Sequence, residues 1–336
     1  MFKIVDLYDS SEIEPLICLK KEEQYSVAIR IKTEDDVNLF VETTCDLFDL
    51  LREYNHISLA RKEEESLLSF GVELYSDKQT SESASVLAYI YERIGDNERE
   101  IATLEQVLSR NYQKHFKESL GLYKNLYDAS PDTPKYKWGV CKGYVRKGRL
   151  CAFGLAYHYF CHAVELVKNE DCSGMNEHRI LQQSYLELAC ECLEPWARDD
   201  HADECKAHFE KTVELAELLY IREASVENMR VLMRTYDRYA KYLSVNGMKA
   251  ESHEYRKISV ELSEKIYELN PSAMSLDDYG YRRYLLAISN KKEIDIESLR
   301  MALEIYKSLS NFYPDIKVYL YMVEKIQIAI GNHEDN

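Results

Sequence analysis

Between Asp35 and Ile330 the apolar residues of this chain recur at three- and four-residue intervals, and little in the sequence could break them. The 336 residues contain only 11 glycines and 6 prolines. Strands and hairpins need those residues as punctuation, whereas helices need them only at their ends. The pattern therefore restricts most of the chain to consecutive helices. About fourteen are expected, at 35–54, 59–76, 81–94, 97–110, 112–129, 134–148, 150–168, 176–193, 198–222, 225–245, 249–269, 275–289, 295–312 and 316–330. Their short links imply stacked helical hairpins, and a chain this long needs two packed units or an elongated array to bury its core.

The first 33 residues read differently. Tyr25, Val27, Ile29 and Ile31 alternate with Ser26, Ala28, Arg30 and Lys32, a period of two, and Leu16 to Leu19 precede them across the polar KKEEQ. A small β-hairpin is expected here, with Phe2 to Leu7 as a third strand, capping the hydrophobic end of the helical array. The expected fold class is mainly α, a helical-hairpin repeat array with a small N-terminal β-hairpin. Its divisions are 1–33 for the hairpin unit, 34–132 for N-terminal helical repeats and 133–336 for C-terminal helical repeats.

A search for internal repeats finds one. Residues 119–148 laid over 302–331 share ten identities in thirty positions without a gap, among them Leu120/Leu303, Tyr123/Tyr306, Leu126/Leu309, Pro131/Pro314, Val140/Val323 and Gly148/Gly331. A small residue, an aromatic four residues on and a leucine three after that form one face of a helix that a proline ends five residues later. A second helix follows, with a glycine at its close. A weaker third copy places IYELNP, ending at Pro271, over LYDASP, ending at Pro131, and Tyr284 then falls where Tyr144 does. These features resemble the tetratricopeptide repeat. Ala302, Tyr306 and Pro314 match the second helix and terminator of that family's pattern, as do Ser119, Tyr123 and Pro131; Tyr144 with Gly148 matches the end of its first helix, and YERIGD (Tyr91 to Asp96) looks like the same ending. The resemblance covers most of 81–332 and implies a concave groove lined by the first helix of each pair, in which a protein or peptide segment binds.

Within this frame one stretch stands out. PKYKWGVCKGYVRKGR, residues 134–149, carries six basic side chains and no acidic one in a chain of net charge -16. Tyr136, Val140, Cys141 and Tyr144 fall at the spacing of a buried stripe. Lys135, Trp138, Lys142 and Arg146 occupy another face, which under the resemblance is the groove face. The repeat alignments bring Arg282 and Lys325 to the position of Lys142, and ending the 225–245 helix at Gly247 brings Lys241 there as well. The expected partner-binding residues are therefore Lys135, Trp138, Lys142, Arg146, Lys241, Arg282 and Lys325. A positive column on an acidic protein suits carboxylates, phosphates or an acidic peptide, with Trp138 as an aromatic anchor. Asp237 and Asp278 fall on the same face.

Chemistry beyond binding finds little support. His158, His162 and Glu165 lie on one helical face, as do His201, Cys205 and His208, but zinc needs further donors nearby, and partial burial beside Phe160 and Phe209 accounts for them equally well. No phosphate-binding glycine loop, H-E-x-x-H or G-x-S-x-G is present, so no catalytic, metal or cofactor site is expected. The chain's acidity repels nucleic acid and anionic membrane, and no run of 18 apolar residues occurs. Nine cysteines, an odd number scattered through helical patterns, suit a reduced cytoplasmic protein. The function expected is a non-catalytic scaffold or adaptor for a protein or peptide. Two alternatives are a ligand-responsive sensor of the bacterial peptide-receptor type, for which no helix-turn-helix output module precedes the repeats, and an RNA- or DNA-binding accessory protein.

Overall fold

The computed structural model describes residues 10–31, 33–54, 56–105, 111–151, 154–170, 174–193, 202–289 and 294–334. Among these every regular element is a helix: α1 (Ser10–Ala28), α2 (Glu34–Glu53), α3 (Ile57–Lys78), α4 (Ser81–Glu105), α5 (Asn111–Ala129), α6 (Pro134–Arg149), α7 (Leu155–Val167), α8 (Met175–Glu191), α9 (Ala202–Arg222), α10 (Val226–Val245), α11 (Lys249–Leu269), α12 (Ala273–Ala287), α13 (Ile296–Phe312) and α14 (Lys317–Glu334). They fall into two compact units, Met1–Tyr136 with Ser272–Met274, and Lys137–Pro271 with Ser275–Asn336.

The expected β-hairpin is a helix. Its alternation rests on four residues that share no face: Tyr25 is 70% and Ile29, just past α1, 67% exposed, whereas Val27 is half-buried and Ile31 packs against the core of the first unit, where Ile17 sits with Val37, Val41, Phe48 and Leu67. KKEEQ, read as a turn, is made of strong helix formers and contains no glycine, proline or asparagine. It carries the contacts that seat the helix: Lys20 pairs with Glu23 and Asp46, Lys21 with Glu63, and Gln24 donates to Thr44 Oγ1 at 3.0 Å. Phe2 to Leu7 lie outside the described residues. The next helix starts where a capping box dictates, Thr33 accepting from the Asp36 amide while the Asp36 carboxylate accepts from the Thr33 amide at 2.8 Å.

A second difference concerns 81–110. Two helices were expected, with Gly95 in YERIGD ending the first, but α4 runs unbroken through it. Gly95 is a packing notch: a Cβ there would stand 2.6 Å from the Phe116 ring of α5. The missing side chain serves helix approach and not termination. The first unit also buries a chain of polar groups between α2, α3 and α4. Arg93 is paired with Asp49, Asp49 with Arg52, and Arg52 donates to Asn97 Oδ1 at 2.6 Å, whose amide in turn donates to Glu64.

The internal repeat has a structural counterpart. The helix that precedes Pro131 ends at Ala129 and that which precedes Pro314 at Phe312, equivalent positions, and the following helices start at the equivalent Pro134 and Lys317. The turns share their hydrogen bonds: Thr133 N–H to Ser130 C=O and Ile316 N–H to Tyr313 C=O, both 3.1 Å. Ser119/Ala302, Tyr123/Tyr306, Leu126/Leu309 and Tyr136/Tyr319 are buried in both copies. At the glycines the copies differ, since α6 stops one residue after Gly148 while α14 continues past Gly331 to Glu334.

Within the second unit, cross-helix contacts sort the elements into two layers. One joins α6, α8, α10, α12 and α14: Arg149 donates to Glu187, Gln182 to Thr235 at 2.8 Å, Arg282 pairs with Asp237 at 2.8 Å, and Lys325 lies over the Tyr284 ring. The other joins α7, α9 and α11, with Tyr157 donating to Glu204 at 3.0 Å and Lys265 over the Tyr220 ring. Between layers, Tyr236 donates to Glu217 and Tyr306 to Asp277, with Phe209, Tyr239, Tyr242 and Tyr255 in mutual ring contact. Many of the 27 tyrosines thus fill interhelical layers, apolar body inward and hydroxyl on an acid at the rim.

Candidate partner-binding site

The expected binding residues take up four different environments. On α6, Lys135 is exposed, with its ammonium 5.6 Å from the centre of the Tyr136 ring. Trp138 is 4% exposed and packs in the core of the second unit with Cys141, Val145, Phe160 and Leu181. Its indole therefore fills an interior position and is not a surface anchor. Lys142 and Arg146 are half-buried, and Lys241 on α10 is exposed. Arg282 on α12 is 9% exposed. Lys325 on α14 is half-buried between two rings, 5.1 Å from the centre of Tyr284 and 5.6 Å from that of Tyr321.

Most of the basic stretch is matched internally. Lys137 pairs with Glu170, Arg149 with Glu187 through two nitrogens, and Lys147 stands 4.7 Å from the centre of the Tyr159 ring. The acids come from α8 and from just beyond α7, so the charge anomaly visible in one segment is a local balance in three dimensions. The alternation of α6 is also weaker than expected. Besides Tyr136, Val140 and Cys141, the opposite positions Trp138 and Val145 are buried, because this helix has neighbours on more than one side.

Arg282 belongs to a buried polar cluster. Its guanidinium bridges Asp237 at 2.8 Å and Asp278 at 2.7 Å, and Ser259 on α11 donates to Asp237 at 2.7 Å. Beside it, burial pushes the Asp277 carboxyl up to about 6, with the negative charge of Asp278 adding to the shift and the Tyr306 hydroxyl and Arg282 opposing it. Burial also raises the Tyr306 hydroxyl, with Asp277 adding to that shift. Two acids on one arginine leave no positive field at this position. The aligned column of Lys142, Arg282 and Lys325 thus shares a helical register without sharing an electrostatic role.

The expected set leaves out two cations that face outward. Arg234 and Arg238 on α10 are exposed and stand four and three residues from each other and from Lys241. That (i, i+4, i+7) spacing is legible in VLMRTYDRYAKYL, although only Lys241 falls in the aligned column. Tyr281 and Tyr321, 39% and 52% exposed, were likewise not selected.

Among the described residues no group of three or more histidine, cysteine, aspartate or glutamate side chains is placed to bind an ion. His162 faces the Tyr144 ring and His208 the Tyr185 ring, while Cys205 is buried with its thiol donating to the Ala189 carbonyl at 3.7 Å. His201 lies outside the described residues. Burial raises the Cys190 thiol to about 12 and also pushes up Cys161, so neither is a ready nucleophile. No described helix is long and apolar enough to cross a membrane.

No protein-family model and no curated protein matches the sequence. Among solved structures the chain is similar to a thermophilic TPR protein of Thermus thermophilus, at 10% identity and a TM-score of 0.39, over 79% of this chain and 99% of that one. It is similar also to the nuclear import adaptor Nro1 of S. pombe, at 14% identity and a TM-score of 0.44, over 87% and 99% of the two chains. BtubC from P. vanneervenii gives 10% identity and a TM-score of 0.44, over 80% and 90%. Superposition at this level does not carry a partner or an activity from one chain to another.

Proposed function

We propose that this protein is a non-catalytic scaffold that binds a protein or peptide segment on the helix layer formed by α6, α8, α10, α12 and α14. The observation that carries this reading is the character of that layer's outward face, where exposed Lys241, half-buried Lys325 and exposed Tyr281 and Tyr321 combine cations with apolar rings. Such mixed positions are typical of surfaces that bind proteins: aromatics supply area at low entropic cost and cations supply register. Lys142 and Arg146 belong to the same proposed surface through α6. Arg282 and Trp138 act from beneath it, one holding α10 and α12 together and the other filling the core. Acidic segments are the favoured ligands. A cytoplasmic location and the absence of catalysis are parts of the same proposal.

The test is paired co-purification from the native cell with the wild-type chain and with Lys241→Glu/Lys325→Glu as baits. Helical content must be unchanged by circular dichroism. Specific loss of one or more wild-type partners from the double variant supports the reading, and an identical partner set from both baits would sink it.

A further inference from the structure

Several helices of the second unit match their lysines with acids of the same helix. Four lysines at other helices are matched by an acid three residues away: Lys168, just past α7, with Glu165, Lys211 of α9 with Glu214, Lys257 of α11 with Glu254 and Lys307 of α13 with Glu304, while Lys206 of α9 meets Glu210 and Lys265 of α11 lies over the Tyr220 ring. On α10 no such matching occurs. Its sequence, VENMRVLMRTYDRYAKYLSV, holds two acids, and both are taken by other helices. Glu227 pairs with Arg179 of α8 at 2.9 Å, and Asp237 is turned to Arg282 and Ser259. Arg234, Arg238 and Lys241 are exposed, and among the described residues they meet no carboxylate within ion-pair distance. Arg238, Lys241 and Glu187, whose carboxylate accepts from Arg149, all act on the Cys190 thiol of α8, which burial keeps neutral. Like charges at this spacing cost an isolated helix a few tenths of a kcal/mol per pair, and among the described residues no ion pair offsets them.

We propose that the Arg234, Arg238 and Lys241 face of α10 is the anion-reading part of the binding surface, and that its occupant is an extended peptide segment with carboxylate side chains on alternate residues. This rests on the scaffold reading and names the partner's chemistry. The three cations span about 10 Å along the helix. Alternate side chains of an extended segment lie about 7 Å apart on one face, within reach of two arginine forks and a lysine. Val245, 44% exposed and four residues beyond Lys241, continues the stripe as an apolar contact, so an apolar residue beside the acids completes the match. A polynucleotide fits less well, because a chain of net charge -16 repels a long polyanion while a short peptide meets only the local field.

The experiment uses the full chain and a fluorescein-labelled twelve-residue peptide alternating Glu and Ser with one Leu at its end. The comparison probes are its Gln counterpart and a single-stranded oligonucleotide of equal charge. Fluorescence anisotropy is read for wild type, for Arg234→Gln/Arg238→Gln/Lys241→Gln, and for Lys211→Gln/Lys257→Gln/Lys307→Gln, which removes the same charge from α9, α11 and α13. The proposal expects the acidic peptide to bind at least tenfold more tightly to wild type than to the α10 triple variant, the second triple variant to stay within twofold of wild type, and the Gln peptide not to bind. Equal weakening in both triple variants would reduce the effect to long-range charge and overturn it, as would tighter binding of the oligonucleotide. Should the acidic peptide not bind wild type at all, the inference fails while the scaffold reading stands or falls separately on co-purification. Circular dichroism of each variant separates lost binding from lost folding.

Discussion

Glu64 shows how much one side chain can weigh on a helical core. It is 4% exposed, and burial, with a smaller push from Glu98, raises its carboxyl from 4.5 to about 7 against the opposing Asn97 hydrogen bond and the charges of Arg61 and Arg52. The folded protein therefore keeps a proton that the unfolded chain releases near pH 4.5, and stability falls as pH rises through this window and levels off above about 7. Ionised Glu64 costs roughly 3 kcal/mol relative to its neutral form. Glu64→Gln should match wild type near pH 4.5 and exceed it by roughly 2–3 kcal/mol at pH 8, read as the difference between denaturant curves at each pH. Gly95 makes the opposite point, that an absent side chain can matter as much. Gly95→Ala gains up to about 1 kcal/mol of helix propensity but drives a methyl into the Phe116 ring, so a net loss of about 1–2 kcal/mol is expected. Phe116→Leu in the Gly95→Ala background should return part of it; a stabilised single variant would refute the notch.

At the scale of elements, α6 shows why a charged segment need not be a binding segment. Its lysines and arginines are largely met by Glu170, Glu187 and the Tyr159 ring, and its tryptophan faces the core. Trp138→Ala should cost about 3–5 kcal/mol in a denaturant titration, whereas Lys135→Ala should stay within about 0.5 kcal/mol of wild type. Equal, small effects would mean that the indole is not packed as described. The element ends were more legible than the element faces. Prolines and turn residues act over a few positions along the chain, so the links at Pro131, Pro271 and Pro314 lie where the repeat alignment put them. The faces depend on how many neighbours a helix has, and α6 has more than a single buried stripe can serve. The N-terminal segment failed for a related reason: four alternating residues fit a strand, but the polar run before them favours a helix once α2 and α3 supply charges for it.

For the molecule as a whole, a net charge of -16 on 336 residues means self-repulsion in the folded state. Raising sodium chloride from about 20 to 200 mM should increase the melting temperature by a few degrees, because screening relieves that repulsion while exposed ion pairs lose little. A fall in melting temperature would show instead that ion-pair networks such as Arg93 with Asp49 dominate. Helical class, hairpin repeat, the positions of most helix ends and the lack of catalytic motifs were all present in the sequence, since each follows from spacing along one chain and a repeat repeats its spacing. Which cations are free could not be read there. Lys137 and Arg149 are answered by acids 33 and 38 residues away, while Arg234 and Arg238 lose the acid of their own helix to Arg282 on another. Coulomb interactions fall off with distance in space and take no account of distance in sequence, so only the folded packing of α6 to α14 decided where positive charge remains available to a partner.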